Sequence, residues 1–299
     1  MTTIDTVGVL GYGEAGETFA DAFLDAGYDV AVTNRSPAAL RERLADGPPA
    51  VADSPAALAR RSDLIVSCVW PATAVDVAEA ALDGVGDGRE RWFYDVNSVS
   101  PRSTARIDRT FEGTNTTFLN GAIMGGASGP PETVRLTVAG VGREPVADRL
   151  LAVGFDVASM GDDLRGPAVL KLSRSAITKG ILPLIVDATL LARHYGLEEE
   201  LFEGLDPAFA TDAFDEYVHR AFRALAAGSE SERRLGEARE MLETAADAGY
   251  RAPTIDATHE LFRIAHAAEL SGETREGTLA RLAEAYRLSE ADDGDRPDA

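Results

Sequence analysis

The chain has 299 residues, of which 50 are acidic and 29 basic, and its formal net charge is −21. This length suffices for two domains with separate cores. The negative charge repels nucleic-acid phosphates and anionic lipid headgroups, so the composition argues against nucleic acid and a membrane as partners.

The residue types also restrict the kind of site and the compartment. Cys68 is the only cysteine, which excludes a disulfide framework and a thiolate metal cluster, and the four histidines lack metal-ligand spacing. We therefore expect no metal. The longest apolar run, residues 181–192, is too short to span a bilayer, and the start lacks signal-peptide features, so we expect a cytoplasmic protein. An acidic excess with only two lysines is typical of proteins from a halophile.

The N-terminal segment has the pattern of a dinucleotide-binding unit. Residues 6–10 predict a short strand, residues 17–26 a helix and residues 28–32 a second strand. A Gly-x-Gly-x-x-Gly turn joins the first strand to the helix. In this setting the first glycine permits the turn, the second lets the backbone approach a pyrophosphate, and the third lets helix and strand pack closely. We expect the whole turn to bind the cofactor: Gly11, Tyr12, Gly13, Glu14, Ala15 and Gly16.

The end of the second strand indicates which dinucleotide binds. NAD-specific domains usually carry Asp or Glu there to hold the ribose 2′-hydroxyl. This chain instead has Thr33, Asn34, Arg35 and Ser36. Arg35 can pair with a 2′-phosphate, and the other three can donate hydrogen bonds to it. The sequence favours NADP over NAD; the alternative is an ordinary surface arginine on this loop.

More strand-like segments follow, and the loops after three of them are candidate ligand sites. The predicted strands are residues 63–69, 92–96, 117–119, 135–139 and 156–159. Trp70 and Pro71 follow the first of these, at the sheet edge where cofactors bind in such folds. Residues 97–101 and 120–127 follow the next two and suit a nicotinamide and a small substrate. Each of these two loops could also be a plain turn.

The second half of the chain is predicted to be helical. Residues 167–195 form one long helix, with five polar residues on one face: Lys171, Arg174, Ser175, Thr178 and Lys179. Lys171 and Lys179 are the only lysines. Arginine stays protonated, whereas a partly buried lysine can lose and regain a proton, so the pair indicates an acid–base site lining a cleft. The alternative is two surface lysines that lie close together by chance.

Later helices are predicted at residues 212–227, 231–248, 254–271 and 274–290. The fold class is therefore α/β, with an N-terminal Rossmann domain and an all-helical C-terminal domain. We expect an NADP-binding domain at residues 1–162, a substrate and dimerisation domain at 163–290, and a disordered acidic tail at 291–299.

These motifs resemble the β-hydroxyacid dehydrogenase family, which includes 6-phosphogluconate and 3-hydroxyisobutyrate dehydrogenases, over nearly the whole length. The family's active-site lysine lies in a Gly-x-x-x-Lys-x-x-x-Asn pattern. Here the spacing between Gly166 and Lys171 is one residue longer than in that pattern, and Ser175 replaces the Asn. Residues 95–101 are similar to its Asp-x-Ser-Thr-x-x-Pro loop. Residues 120–126 are similar to its Asp-Ala-Pro-Val-Ser-Gly-Gly loop, with Ala122 for Pro and Met124 for Ser.

The departures from the family's patterns bear on the substrate. Arg174 and Ser175 stand where the decarboxylating phosphogluconate enzyme has His and Asn, which argues against its substrate. The chain looks like a less-characterised branch of the family.

The resemblance implies hydride transfer between NADP and a small anionic hydroxy acid, with Lys171 as the general acid and base. It also implies a homodimer and an active site in the cleft between the domains. Ser98 joins the residues expected to contact the cofactor. The residues expected to bind the substrate are Asn97, Met124, Gly125, Gly126, Arg174, Ser175 and Lys179.

Two other functions remain open at this stage. One is an imine or semialdehyde reductase on the same scaffold, although imine reductases usually replace the family's lysine, which Lys171 retains. The other is a catalytically silent module that binds NADP and presents a surface to a partner protein. Turnover assays compared with binding assays distinguish these functions.

Overall fold

The computed structural model describes residues 3–45, 47–86, 88–194, 196–209, 222, 224–225, 228–247, 253–270 and 275–291. The chain divides into two compact units, Met1–Leu172 and Ser173–Ala299. The first unit holds a mixed α/β arrangement, and the elements that the structure describes in the second unit are helices. The predicted fold class, a Rossmann domain followed by a helical region, is confirmed.

Eight strands form one sheet in the first unit, in the order β3-β2-β1-β4-β5-β6-β7-β8. All neighbouring pairs are parallel except β6 and β7, which are antiparallel. From β1 the strand order runs to one edge of the sheet through β2 and β3, and from β4 it runs to the other edge. Such a switch point makes the carboxyl ends of β1 and β4 the expected place for a ligand. The strands are β1 Thr6–Leu10, β2 Asp29–Thr33, β3 Ala50–Val51, β4 Leu64–Ser67, β5 Arg91–Asp95, β6 Thr116–Ile123, β7 Arg135–Ala139 and β8 Asp156–Ser159.

Helices cover the sheet and also form the described elements of the second unit. Those between the strands are α1 Glu14–Asp25, α2 Pro37–Leu44, α3 Pro55–Arg61, α4 Ala74–Leu82, α5 Pro101–Thr110 and α6 Glu144–Ala152. The long helix α7, Arg165–His194, begins in the first unit and continues into the second. The remaining helices are α8 Glu198–Phe209, α9 Gly228–Asp247, α10 Pro253–Ala267 and α11 Arg275–Ala291.

The central strands are apolar on both sides because both faces of the sheet are covered. Val9 and Val66 belong to one core cluster, and Leu10 and Ile65 belong to a second. All four side chains are at most 1% exposed. Burial on both faces explains why these strands are continuous apolar runs without alternation.

Most element boundaries lie within three residues of those predicted, but β6 is a clear exception. The sequence predicts a strand at residues 117–119 and a loop from Asn120; the structure continues the strand to Ile123 and pairs it with β7. Gly121 is the reason. A Cβ atom there would lie 2.3 Å from the Tyr94 ring, so the glycine permits close packing within the sheet instead of a turn.

The helix predicted at residues 212–227 lies mostly outside the described residues, and the acidic tail beyond Ala291 lies outside them. Helix α8, in contrast, was not predicted.

Candidate functional site

The glycine-rich turn between β1 and α1 has the geometry that a dinucleotide requires. Gly11 has φ +93°, and a Cβ atom there would lie 2.3 Å from the Cys68 carbonyl oxygen. A Cβ atom on Gly16 would lie 1.9 Å from the Gly11 carbonyl oxygen, so the helix can approach the strand only because this residue is glycine. A Cβ atom on Gly13 would meet nothing within 4 Å. The turn therefore packs tightly on the protein side and leaves room on the outer side, as a phosphate-binding turn must.

The other residues of this turn divide into buried and accessible groups. The Tyr12 side chain is 6% exposed and belongs to the core, and the Arg43 guanidinium lies 5.1 Å from its ring centre. Any contact of Tyr12 with a cofactor must therefore come from its backbone. Glu14 is exposed and Ala15 is partly buried at the N-terminus of α1, where the backbone amides are available for an anion.

The loop after β2 presents Arg35 to solvent beside an aromatic ring. Arg35 is exposed, and its guanidinium carbon lies 5.7 Å from the centre of the Trp70 ring. The Asn34 carbonyl Oδ1 accepts a hydrogen bond from the Ser36 amide at 2.8 Å, which shapes the loop. Trp70 precedes a short 3-10 turn, Pro71–Thr73. The structure thus brings together Arg35, from the loop after β2, and Trp70, from the loop after β4, both of which were predicted to bind the cofactor.

One predicted donor of this loop is wrong. Thr33 is 2% exposed, and its hydroxyl donates a hydrogen bond to the Ala52 carbonyl at 2.8 Å. The threonine lies inside β2 and ties it to the segment after β3, so its hydroxyl cannot also serve a 2′-phosphate.

A buried row of polar side chains crosses the sheet at the carboxyl ends of β4 and β5. Ser67 is the register partner of Asp95, and Asp95 is the register partner of Asn120. All three are 0% exposed. The Asn120 amide nitrogen Nδ2 donates to the Leu164 carbonyl at 2.6 Å, which ties β6 to the segment before α7. Burying polar side chains costs free energy unless they are hydrogen-bonded, so a row of them inside an apolar sheet marks this edge as a candidate site.

Asn97 supports this row, although the sequence predicts that it binds the substrate. Its Nδ2 donates to the Ser67 hydroxyl at 2.9 Å and to Asp95 Oδ1. Its Oδ1 accepts from the Val69 amide at 2.7 Å. These bonds use both amide hydrogens and the amide oxygen inside the protein, so the Asn97 side chain holds its neighbours and has no donor left for a substrate.

Asp95 is a site residue that was not predicted, and it interacts electrostatically with Lys171. Burial raises the pKa of Asp95 to about 7, while hydrogen bonds from Ser67 and Asn97 and the charge of Lys171 oppose that rise. Lys171 is partly buried on α7. A buried carboxyl with a pKa raised to about 7 that also interacts electrostatically with a lysine is typical of acid–base sites. The sequence could have indicated Asp95 as a site residue, because it is the first residue of the loop at residues 95–101, which is similar to the family's Asp-x-Ser-Thr-x-x-Pro loop.

The remaining loop residues lie at accessible positions. Ser98 is partly buried, and Met124 continues the β6 ladder by donating its amide to the Arg135 carbonyl at 2.7 Å. Gly125 and Gly126 are exposed, and a Cβ atom on either would meet nothing within 4 Å. This short segment after β6 keeps the open glycine surface that was predicted for a longer loop.

In the second unit, Lys179 is paired. Its ammonium contacts Glu237 Oε2, and Arg233 contacts the other oxygen of the same carboxylate at 2.6 Å. Burial lowers the pKa of Lys179, although Glu237 opposes that effect. The prediction that Lys179 binds the substrate anion overlooked Glu237, a partner 8% exposed on α9. Arg174 is exposed and Ser175 partly buried on α7.

Among the described residues, no group of three or more His, Cys, Asp and Glu side chains could hold a metal ion. No helix within the described ranges is long and apolar enough to cross a membrane.

Comparison with known proteins identifies the first unit. Residues 6–157 match the family described as the NAD binding domain of 6-phosphogluconate dehydrogenase. The uncharacterized oxidoreductase YfjR of Bacillus subtilis (strain 168) is 23% identical over 220 residues, which are 71% of this chain and 76% of the relative.

Two solved structures extend the likeness over both units. A conserved hypothetical protein from Sinorhizobium meliloti 1021 is 26% identical, with 95% of this chain and 97% of that chain covered and a TM-score of 0.70. The 3-hydroxyisobutyrate dehydrogenase of Mycobacterium tuberculosis, solved with L-serine, is 18% identical, with 94% and 99% covered and a TM-score of 0.71. The second likeness concerns the fold.

Proposed function

The chain belongs to the β-hydroxyacid dehydrogenase family, and we propose that it transfers a hydride between NADP and a small hydroxy acid, with Lys171 as general acid and base. One observation carries this proposal. Lys171 interacts with the buried Asp95 carboxyl at the carboxyl end of β5, in a sheet whose glycine turn suits a dinucleotide.

The chain's own residues provide the proton chemistry. The nicotinamide ring, when bound, accepts or gives the hydride. In the oxidation direction, the neutral amine of Lys171 takes the proton of the substrate hydroxyl while a carbonyl forms. In the reduction direction, the Lys171 ammonium donates that proton to the carbonyl oxygen. Arg174 is exposed on the same helix and is our candidate for binding the substrate carboxylate.

Arg35 supports NADP as the preferred cofactor. Its exposed guanidinium is held beside the Trp70 ring at the end of β2, where NAD-specific domains usually have a carboxylate. A cation with a restricted position binds a phosphate with less loss of side-chain entropy than a mobile one. Asn34 and Ser36 remain available to complete a 2′-phosphate site.

We also propose that the chain is a homodimer. Large apolar side chains on α7 are exposed, among them Leu170 at 43% and Ile177 at 76%. Exposed apolar side chains of this size are the kind that a subunit interface covers. The oligomeric mass measured by light scattering tests this point.

The decisive experiment is a screen of small hydroxy acids and aldehyde acids for change in NADPH absorbance, with imines as a second panel, at high salt. Turnover of a hydroxy acid that Lys171→Arg abolishes supports the proposal. Turnover of imines alone supports the reductase alternative. Tight NADPH binding without turnover in either panel supports the silent module and contradicts the proposal.

A further inference from the structure

Asp95 has an unusual environment for a carboxyl group. It is 0% exposed, at the end of a strand in the middle of the sheet. Its Oδ1 accepts a hydrogen bond from Asn97, but among the described residues its Oδ2 has no hydrogen-bond partner. An ionised carboxylate with an unpartnered buried oxygen is costly, and a nearby cation is the usual compensation.

The adjacent side chain in the row has the same deficit. Asn120 donates its amide hydrogen to the Leu164 carbonyl, yet its Oδ1 also has no partner among the described residues. Two unpartnered acceptors thus lie on register partners of β5 and β6, and a cation or a proton nearby would compensate for the missing hydrogen bonds.

Three titratable groups among the described residues interact electrostatically with Asp95. They are Lys171 on α7, Cys68 directly after β4, and Tyr94, its neighbour in β5. Burial raises the pKa of the Cys68 thiol and of the Tyr94 hydroxyl well above their ordinary values, so both stay neutral at working pH. The Tyr94 hydroxyl donates to the Thr137 carbonyl at 2.7 Å. Of these three groups, Lys171 is thus the cation whose charge lowers the pKa of Asp95.

We propose that Asp95 is a positioning residue that sets the protonation state of Lys171. When the buried carboxyl is ionised, it stabilises the Lys171 ammonium, which is the form made when the substrate hydroxyl gives up its proton. When the carboxyl is neutral, that stabilisation is absent and the amine is favoured. The hydrogen bonds from Ser67 and Asn97 hold the carboxylate in place. This inference rests on Lys171 as the acid–base group of the proposed function.

The chain offers a direct test, because Lys171 and Lys179 are its only lysines. Lysine labelled with ¹³C at Cε gives two signals, which the Lys171→Arg and Lys179→Arg variants assign. Each signal is followed against pH in the intact protein, without substrate, in the unmutated chain and in Asp95→Asn. Circular dichroism and NADPH binding check that Asp95→Asn is folded.

We expect the titration midpoint of Lys171 to move to lower pH in Asp95→Asn, by about one unit or more, because an opposite charge nearby favours the ammonium. Lys179 is paired with Glu237 and is the internal control, so its midpoint stays unchanged. An unchanged Lys171 midpoint overturns the inference. A similar shift of both lysines indicates a general structural disturbance and also contradicts it.

A second variant serves if Asp95→Asn does not fold. Asp95→Ser also removes the charge but keeps a small polar side chain at this position, so the Lys171 midpoint falls as in Asp95→Asn. No movement in that variant overturns the inference in this case. Because no substrate is needed, a shift of Lys171 without turnover of any hydroxy acid leaves the inference standing and contradicts only the proposed function.

Discussion

The Arg35 guanidinium lies over the Trp70 ring, 5.7 Å from its centre, although β1 separates β2 and β4 in the sheet. The contact joins the two loops that flank the glycine turn. It also limits the orientations of an exposed arginine, which is otherwise a mobile side chain. The pair gives the proposed NADP preference a structural basis that the arginine alone does not provide.

Arg35→Ala should weaken NADP binding by roughly 1.5–3 kcal/mol, the range for hydrogen bonds to charged groups. NAD binding should hardly change, because NAD lacks the 2′-phosphate. Isothermal titration calorimetry with both nucleotides provides the measurement. Equal affinities of the unmutated protein for NADP and NAD would show that the preference is absent.

Trp70→Leu should reduce the preference for NADP over NAD by about 0.5–1 kcal/mol, the value of an exposed cation–π contact. Trp70→Phe keeps an aromatic face and is the matched control, so it should lose less. A loss of the same size for both nucleotides would mean that Trp70 contacts the cofactor directly and does not act through Arg35.

Lys171→Arg keeps the positive charge but cannot release a proton at working pH. We expect it to fold and bind NADP normally while turnover falls by on the order of 10²–10⁴. Lys179→Arg should be much milder, because arginine can keep the ion pair with Glu237. Steady-state kinetics on the best substrate of the screen compares the two variants. A greater loss in Lys179→Arg than in Lys171→Arg would show that Lys171 is not the acid–base group.

Local patterns were sufficient to predict the fold and the cofactor turn. A strand, a glycine triplet and a helix within about thirty residues place Gly11 and Gly16 where close packing requires them. The structural features that the sequence did not predict share one cause. The strand at Gly121, the buried hydroxyl of Thr33 and the partner of Lys179 each depend on residues distant in the chain. A single sequence does not show which segments meet.

The glycine turn offers a matched pair of substitutions. Gly16→Ala places a methyl group 1.9 Å from the Gly11 carbonyl oxygen, so the free energy of unfolding should fall by about 1–3 kcal/mol or more. Gly13→Ala meets no protein atom within 4 Å, so stability should be nearly unchanged, while NADP affinity falls because the methyl group occupies phosphate space. Urea denaturation and NADP titration measure the two effects. Unchanged NADP affinity in a folded Gly13→Ala variant would place the pyrophosphate elsewhere.

Asp95→Asn should change the pH dependence of stability. Burial raises the pKa of Asp95 from 3.8 to about 7 in the folded chain. A carboxyl with a raised folded pKa contributes stability that is complete below its unfolded pKa and is lost as pH rises through its folded pKa. The window is therefore about pH 4 to 7. At 1.36 kcal/mol per pKa unit, the shift amounts to at most roughly 4 kcal/mol.

The unmutated chain should accordingly lose up to that amount of unfolding free energy between pH 4 and pH 8, relative to Asp95→Asn, which carries no titrating group at this position. Urea denaturation of both proteins at the two pH values measures the difference, and comparing the two chains cancels the contributions of the other carboxylates. Asp63 is a useful reference, because burial tends to raise its pKa but hydrogen bonds from Thr6 and Arg89 outweigh burial and lower it below the ordinary value of 3.8, so Asp63→Asn should show almost no change between pH 4 and pH 8. A stability difference between the unmutated chain and Asp95→Asn that is the same at pH 4 and pH 8 would mean that Asp95 remains ionised in the fold, and that its burial is balanced by Lys171 over the whole range.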